Sequence, residues 1–339
     1  MIRITICEPF PTGSCSYYRS LGPLYKLRKY NSNIEFSQLI LAEYTEKIAW
    51  NVLANTDILF LQRPTDDTYI RSLELAKDMS VKVWVDFDDN FHEIPEDNPN
   101  YENFATEERR NNVTKSLELA DIITFSTKAL KEYYKDYNEK SYIIENCHND
   151  YNYPFTKKEK SSNIISWRGS NTHKNDLMSC LQEMGNVAGK YKDWGWLFIG
   201  GGIDFVEYEL KYRQKVEKFS NIQAKDITIY NKLFKKISSA VHICPLLFSL
   251  FNECKSNISW IEGTYFGSAV VAPKIHEFEK PGCVNYTESD GSFEYNLERL
   301  IKDENFRDKK YEESFEYIQN NLLLSDVNKK RLDIIDRLI

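Results

Sequence analysis

Residues 151–177 read YNYPFTKKEKSSNIISWRGSNTHKNDL. The first half, 151–162, is polar, carries a proline and has no apolar period, which marks a linker. The second half opens with the apolar run Ile164 to Trp167, passes through a small polar loop and enters a charged, helical-looking segment. A strand-to-helix unit that restarts after a linker implies a second αβ domain.

On the N-terminal side of this break, short β-branched runs recur between helical patterns: Ile2 to Ile6, Ile34 to Ile40, Asp57 to Gln62, Val81 to Phe87, Asp121 to Phe125 and Tyr142 to Ile144. Helical periods over Tyr17 to Tyr30, Tyr69 to Met79 and Glu107 to Leu119 separate them. On the C-terminal side the runs are Ile164 to Trp167, Trp196 to Ile199, Ile227 to Tyr230, Val241 to Cys244 and Ala269 to Ala272. Strands that alternate with helices build parallel sheets covered on both faces. The fold class expected is α/β, with two Rossmann-like αβα domains facing a central cleft. Residues 1–155 form the first, 160–310 the second, and 311–339 a helical tail that packs back on the first.

Composition narrows the functional classes. In 339 residues, 42% hydrophobic and 28% charged is globular, and 22 Tyr with 19 Phe supply two cores. Lys plus Arg is 44 against 51 Asp plus Glu, so no global positive field gathers polyanions. The start, MIRITICEPF, alternates, and no apolar run approaches a membrane span, which implies a cytoplasmic protein without a transmembrane segment. Seven cysteines without CxxC or CxxH spacing imply reduced thiols, not a zinc site or a disulfide framework.

Open parallel sheets bind ligands beyond the carboxyl ends of their strands, which directs attention to four loops. PTGSCSYYRSLGPL, residues 11–24, follows the first strand and supplies Gly13 and Ser14, then Tyr17 and Arg19 in the helix behind them. Glycine admits close backbone approach and helix-start amides attract anions, although an ordinary turn has the same pattern. In ISWRGSNTHKNDL, Arg168 and Lys174 flank a Gly/Ser/Asn loop, a charge arrangement suited to a diphosphate, with His173 a further phosphate contact. WLFIGGG runs a strand into Gly200, Gly201 and Gly202, consistent with a ligand or a tight turn. Tyr230, at the end of a later run, is placed with them on the donor side. CPLLFSLFNECKSNISWIEGTYFGSAVVAP sets Lys255, Ser256 and Asn257 at a helix start with Glu262 two turns in, where a carboxylate accepts ribose hydroxyls.

These segments, in this order, resemble the GT-B glycosyltransferases, particularly the large retaining group that includes many bacterial mannosyl- and glucosyltransferases. Arg168 to Lys174 is similar to that group's arginine-and-lysine pair on the donor diphosphate, with one residue more between them. Lys255-Ser256-Asn257 through Glu262, then Gly267 and SAVVAP, is similar to its signature helix, whose second glutamate binds the donor ribose. The first signature glutamate is Cys254 here.

The resemblance implies a transferase that moves a sugar from a nucleotide-diphosphate sugar to an acceptor hydroxyl, with no cofactor or metal. Arg168 and Lys174 would stabilise the leaving diphosphate, with Asp88 facing the reacting groups. Gly200, Gly201, Tyr230, Lys255, Ser256, Asn257 and Glu262 would hold the donor, and Gly13, Ser14, Tyr17 and Arg19 the acceptor side. A lipid carrier, a surface glycan, a protein or a modified base of phage DNA all fit as acceptor, the last without support from net charge. The oligomeric state is open.

WVDFDDNFHEIP sets Asp86, Asp88, Asp89 and His92 after a strand, where some of them are expected to face the cleft, and supplies an alternative, a GT-A fold in which Asp86 and Asp88 hold a divalent metal bridging the diphosphate. A second complete αβ alternation with the better phosphate loop weighs against it. A nucleotide-sugar epimerase and a non-catalytic binding module use the same twin-domain fold. Among the histidines, His242 lies in a buried-strand pattern and reads as a core residue.

Overall fold

The computed structural model describes residues 1–8, 13–158, 162–223, 233 and 236–339. The described residues form two parallel sheets of six strands each. The first contains β1 (Ile2–Glu8), β2 (Ile34–Ile40), β3 (Ile58–Gln62), β4 (Lys82–Phe87), β5 (Ile122–Phe125) and β6 (Ser141–Ile143) in the order β2-β1-β3-β4-β5-β6. The second contains β7 (Ile164–Gly169), β8 (Gly195–Gly200), β9 (Phe219–Ile222), β10 (Val241–Ile243), β11 (Ala269–Pro273) and β12 (Val284–Tyr286) in the order β12-β11-β10-β7-β8-β9. Every residue of β3 and β11 is buried, as covering on both faces requires.

All six runs read from the first half are strands. In the second half β9 and β12 escape the sequence reading, and both are edge strands: one is the polar FSNI, the other only VNY. The expected strand Ile227 to Tyr230 lies outside the described residues.

Helices that matter for the site are α1 (Ser14–Arg19), α2 (Asp67–Asp78), α3 (Glu107–Leu119), α4 (Lys174–Ser179), α5 (Leu181–Lys190), α6 (Ile258–Tyr265), α7 (Ser292–Lys302), α8 (Glu304–Asn321) and α9 (Leu324–Leu338). Several are started by side-chain caps: Asp66 accepts from Thr68 N at α2 and Thr106 from Arg109 N at α3. The helix expected over Tyr17 to Tyr30 is broken after Arg19, where Ser20 leaves helical geometry (φ −112°, ψ −98°), and continues as Leu21–Leu24 and a 3₁₀ turn, Tyr25–Lys29. Pro23, which lacks an N–H, sits in the middle piece.

One apolar cluster joins the two halves. It takes Ile4, Phe60 and Trp84 from the first sheet, Trp260 and Val270 from the second half, and Phe315 and Ile334 from α8 and α9. Helix α8 docks through Trp260 Nε1, which donates to Ser314 Oγ at 3.0 Å. The chain then returns to the first half: Asn328 Nδ2 of α9 donates to the Pro23 carbonyl at 3.0 Å and Lys330 pairs with Glu145 at 2.7 Å. Residue 311 falls inside the continuous helix α8.

Candidate functional site

A cavity of about 150 Å³ lies between the two halves, and the residues that line it come from the ends of strands. Arg63 follows β3, Asp88 and Asp89 follow β4, Arg168 stands near the end of β7, and Lys255 precedes α6. This is the position at which parallel sheets gather ligand-binding groups, because loops there are free to vary while strands fix their roots.

The charges are interlocked. Lys255 Nζ reaches Asp89 Oδ1 at 2.6 Å, bridging the halves, and Arg63 Nη2 reaches Asp89 Oδ2 at 2.7 Å while its Nε pairs with Asp88. Burial works against the ionised form of Asp89, and Lys255 with Arg63 overcomes it, so the carboxyl titrates below its usual range. Arg63 adopts φ +50°, a left-handed conformation uncommon outside glycine, which turns it into this cluster.

Across the cavity, Arg168 Nη2 donates to Glu262 Oε1 at 2.7 Å and its Nε to Glu262 Oε2, while the Tyr18 hydroxyl donates to the same Oε1. Burial first, and Glu262 second, push the Tyr18 phenol well above its ordinary value, so it stays a donor. Glu262 is 3% exposed and reached from both halves. Cys15 also lines the cavity, and burial pushes its thiol up to about 11, which keeps it protonated at neutral pH.

Several residues singled out from sequence occupy other places. Lys174 opens α4 with its side chain exposed and outside the cavity lining, and His173 lines the cavity in its stead. Arg19 is 1% exposed and holds Asp86 through two bonds, Nη2–Oδ1 at 2.6 Å and Nε–Oδ2 at 3.0 Å, so it braces the first sheet and is not among the residues that line the cavity. Asn257 is buried and donates to the Glu277 carbonyl at 3.2 Å. Gly200 (φ +133°) serves the junction of β7 and β8, since a Cβ there would lie 1.6 Å from the Gly169 carbonyl oxygen. Gly201 has open space around it, outside the lining of this cavity. Tyr230 lies outside the described residues.

Ser14 and Ser256 line the cavity, Ser256 held by Asn146 Nδ2 at 2.7 Å. Gly13 is the residue just ahead of α1, and Tyr17 borders a second, water-sized space beneath Glu262. Asp86 and Asp88, which a bridging metal would have to share, are held by different arginines. Among the described residues no group of three or more His, Cys, Asp or Glu side chains is placed to hold a metal ion. Among them, too, no helix is long and apolar enough to cross a membrane.

Cys254, at the place of the group's first signature glutamate, is 1% exposed and packs with Phe251 into the apolar core of the first sheet. Asn90 Nδ2 approaches its sulfur at 3.6 Å. Position 254 therefore ties the second half to the first and does not open on the cavity.

Arg63 and Tyr18 do not stand out in the sequence, whereas Asp89 does, in the acidic run that follows a strand. Arg63 directly follows a strand that does, so a survey of every strand end would have found it. His242 is a core residue, as read: it is fully buried, with Nδ1 2.8 Å from Ser166 Oγ and Nε2 3.1 Å from Ser259 Oγ.

Two six-stranded parallel α/β layers facing one cleft define the GT-B fold. Among solved structures the chain is similar to Anabaena HepE in complex with UDP-glucose (TM-score 0.67, 10% identity, 99% of this chain and 100% of that one). It is also similar to the UDP-GlcNAc 2-epimerase from Neisseria meningitidis bound to UDP-GlcNAc (TM-score 0.57, 12% identity, 99% and 100%). A third is the pneumococcal O-GlcNAc transferase GtfA in complex with UDP and GlcNAc (TM-score 0.62, 10% identity, 85% and 58%). At these identities the likeness is one of fold. No protein-family model and no curated protein matches the sequence.

Proposed function

We propose that this protein is a glycosyltransferase that moves a sugar from a nucleoside-diphosphate sugar to an acceptor hydroxyl. The observation that carries the reading is the convergence of Arg63, Arg168 and Lys255 on one cavity at the strand ends of a GT-B fold. Breaking a glycosidic bond to a diphosphate leaves negative charge on its oxygens, and cations fixed around that position stabilise the transition state more than the ground state. Side chains alone supply this charge, so the reading assigns no metal. HepE with UDP-glucose and GtfA with UDP and GlcNAc support a UDP sugar as donor.

Each cation now holds a carboxylate: Arg63 holds Asp88 and Asp89, Arg168 holds Glu262, and Lys255 holds Asp89. A diphosphate takes over Arg168 and Lys255, and the released carboxylates become acceptors for hydroxyls, Glu262 for the ribose and Asp88 with Asp89 for the sugar or the acceptor. The Lys255–Asp89 and Tyr18–Glu262 contacts span the cleft, so a donor that takes Lys255 and Glu262 as its partners separates them.

The second reading, a nucleotide-sugar epimerase, draws support from the end-to-end match with the Neisseria enzyme, 99% of this chain and 100% of that one. Incubation with radiolabelled UDP-glucose and UDP-GlcNAc, with and without candidate acceptors, separates the two. Label moving to an acceptor with release of UDP is the expected result. An isomeric nucleotide sugar formed without acceptor would establish the epimerase, and binding with neither product a binding module.

A further inference from the structure

His173 and Asp176 form a dyad that the donor reading leaves unused. His173 ends the 3₁₀ turn Asn171–His173 behind β7, and Asp176 lies in the first turn of α4. Asp176 is 6% exposed and accepts from His173 Nδ1 at 2.8 Å, Leu247 N at 2.9 Å and Asn252 Nδ2 at 3.0 Å. A carboxylate ringed by donors is an acceptor only, so Nδ1 carries the imidazole proton and Nε2 presents a lone pair. The His173 ring lines the central cavity and an adjoining one of about 210 Å³, with 28% of its side chain exposed. The described residues provide no hydrogen-bond partner for Nε2. A fixed tautomer with its basic nitrogen open to a cleft is the arrangement that general-base chemistry needs.

We propose that His173, oriented by Asp176, is the proton acceptor of this cleft. The proposal rests on the transferase reading and names the group that reading lacks. The acceptor O–H bond breaks as its oxygen bonds to the sugar C1, and the proton passes to His173 Nε2. The C1–O bond to the diphosphate breaks, and its electron pair leaves on the phosphate oxygen. The imidazolium then has Nδ1–H on Asp176, whose charge stabilises it. The charged groups that line the two cavities beside the ring are Asp176 from its own helix, Asp88, Asp89 and Arg63 from loops of the first sheet, Asp97 further along the same half, Arg168 from β7 and Lys255 from the loop before α6.

The test uses the full chain with UDP-, GDP- and dTDP-glucose, water serving as acceptor, and reads nucleoside diphosphate release beside calorimetric binding of UDP, GDP and dTDP. His173→Gln is expected to lower release roughly 100- to 1,000-fold and to remove the acid limb of the pH–rate profile, with nucleotide Kd changed less than about threefold. Imidazole added to His173→Ala is expected to restore roughly tenfold of the lost release, a response that a merely structural ring would not give. Release by His173→Gln near that of the unmodified chain, no rescue by imidazole, or loss of nucleotide affinity in step with release would overturn the proposal. The last outcome would make the ring a phosphate ligand. If the unmodified chain binds none of the three nucleotides, the nucleotide-sugar reading fails and the proton role with it. If it binds a nucleotide but releases none from the corresponding sugar, with water or with the candidate acceptors present, the transferase step fails; normal release by His173→Gln removes the proton role alone.

Discussion

Lys255 Nζ lies 2.6 Å from Asp89 Oδ1, so a cation that lines the cavity is occupied by a carboxylate from the other half of the molecule. The pair lines the cavity, with 21% and 19% of the two side chains exposed. A dianionic ligand and Asp89 therefore compete for one ammonium, and the competition is a coupling between donor binding and the closure of the cleft.

Substitutions at the two ends of this pair should act in opposite directions on nucleotide binding. Lys255→Ala removes a charge-assisted contact and is expected to weaken UDP binding about tenfold. Asp89→Asn removes the competing anion while keeping the shape, and is expected to tighten UDP binding a few-fold. Isothermal titration of UDP into both variants checks this, and weakening by both would mean that Asp89 itself contributes to the bound state.

Glu262 and Lys174 separate burial from position in sequence. Glu262→Ala leaves Arg168 partly buried without its carboxylate and Tyr18 without its acceptor, at a cost of about 3 kcal/mol in unfolding free energy. Lys174→Ala removes an exposed side chain outside the cavity and is expected to change stability by less than about 0.5 kcal/mol and UDP affinity less than twofold. Urea denaturation and titration calorimetry measure both. A large loss of affinity in Lys174→Ala would return that residue to the phosphate site.

The contrast between Lys174 and His173 shows where sequence reading stops. Strand runs such as ILFLQ and AVVAP are apolar because both faces are covered, and that pattern is local. The direction of a side chain in the turn behind β7 is not: in a 3₁₀ turn each step rotates the chain by about 120°, so a shift of one residue moves the cavity-facing position from Lys174 to His173. Arg19 likewise reads as a cleft cation until its partner is known, and Asp86, 67 residues away, settles its direction. Tyr17 and Tyr18 differ in the same way, since neighbouring helix positions point about 100° apart, and it is Tyr18 that reaches Glu262. The loops at the strand ends were legible; which of their side chains meet across the cleft depends on contacts between the halves.

His242 makes stability fall in acid. Burial, with Arg168 as a lesser cause, pushes its imidazole down to about 3 from 6.5. Between those values the unfolded chain binds a proton that the folded chain refuses, so the stabilisation is complete above pH 6.5 and is lost as the pH falls. The loss amounts to about 3 kcal/mol between pH 7 and pH 4. In urea titrations across that window, His242→Gln should show a shallower fall by about one proton. Equal slopes in the two proteins would place the acid sensitivity in other groups.

Restoring a glutamate at position 254 tests what that position does in this chain. The family resemblance would have a glutamate there touch the sugar, yet Cys254 is buried against Phe251 and the first sheet's core, with its carbonyl held by Thr127 Oγ1 at 3.0 Å and its thiol pushed up to about 11 by burial. Cys254→Glu must place a carboxylate in that apolar contact with only Asn90 at hand, and is expected to destabilise the fold by about 3 kcal/mol or more. Cys254→Ser, which keeps the size, is expected to cost about 1 kcal/mol. Neither change should tighten binding of UDP-glucose, because the side chain faces the first sheet and not the cavity. Thermal unfolding and calorimetry on the two variants measure both effects. A Cys254→Glu protein as stable as the unmodified chain, with tighter UDP-glucose binding, would show that the loop ahead of α6 swings residue 254 into the donor site.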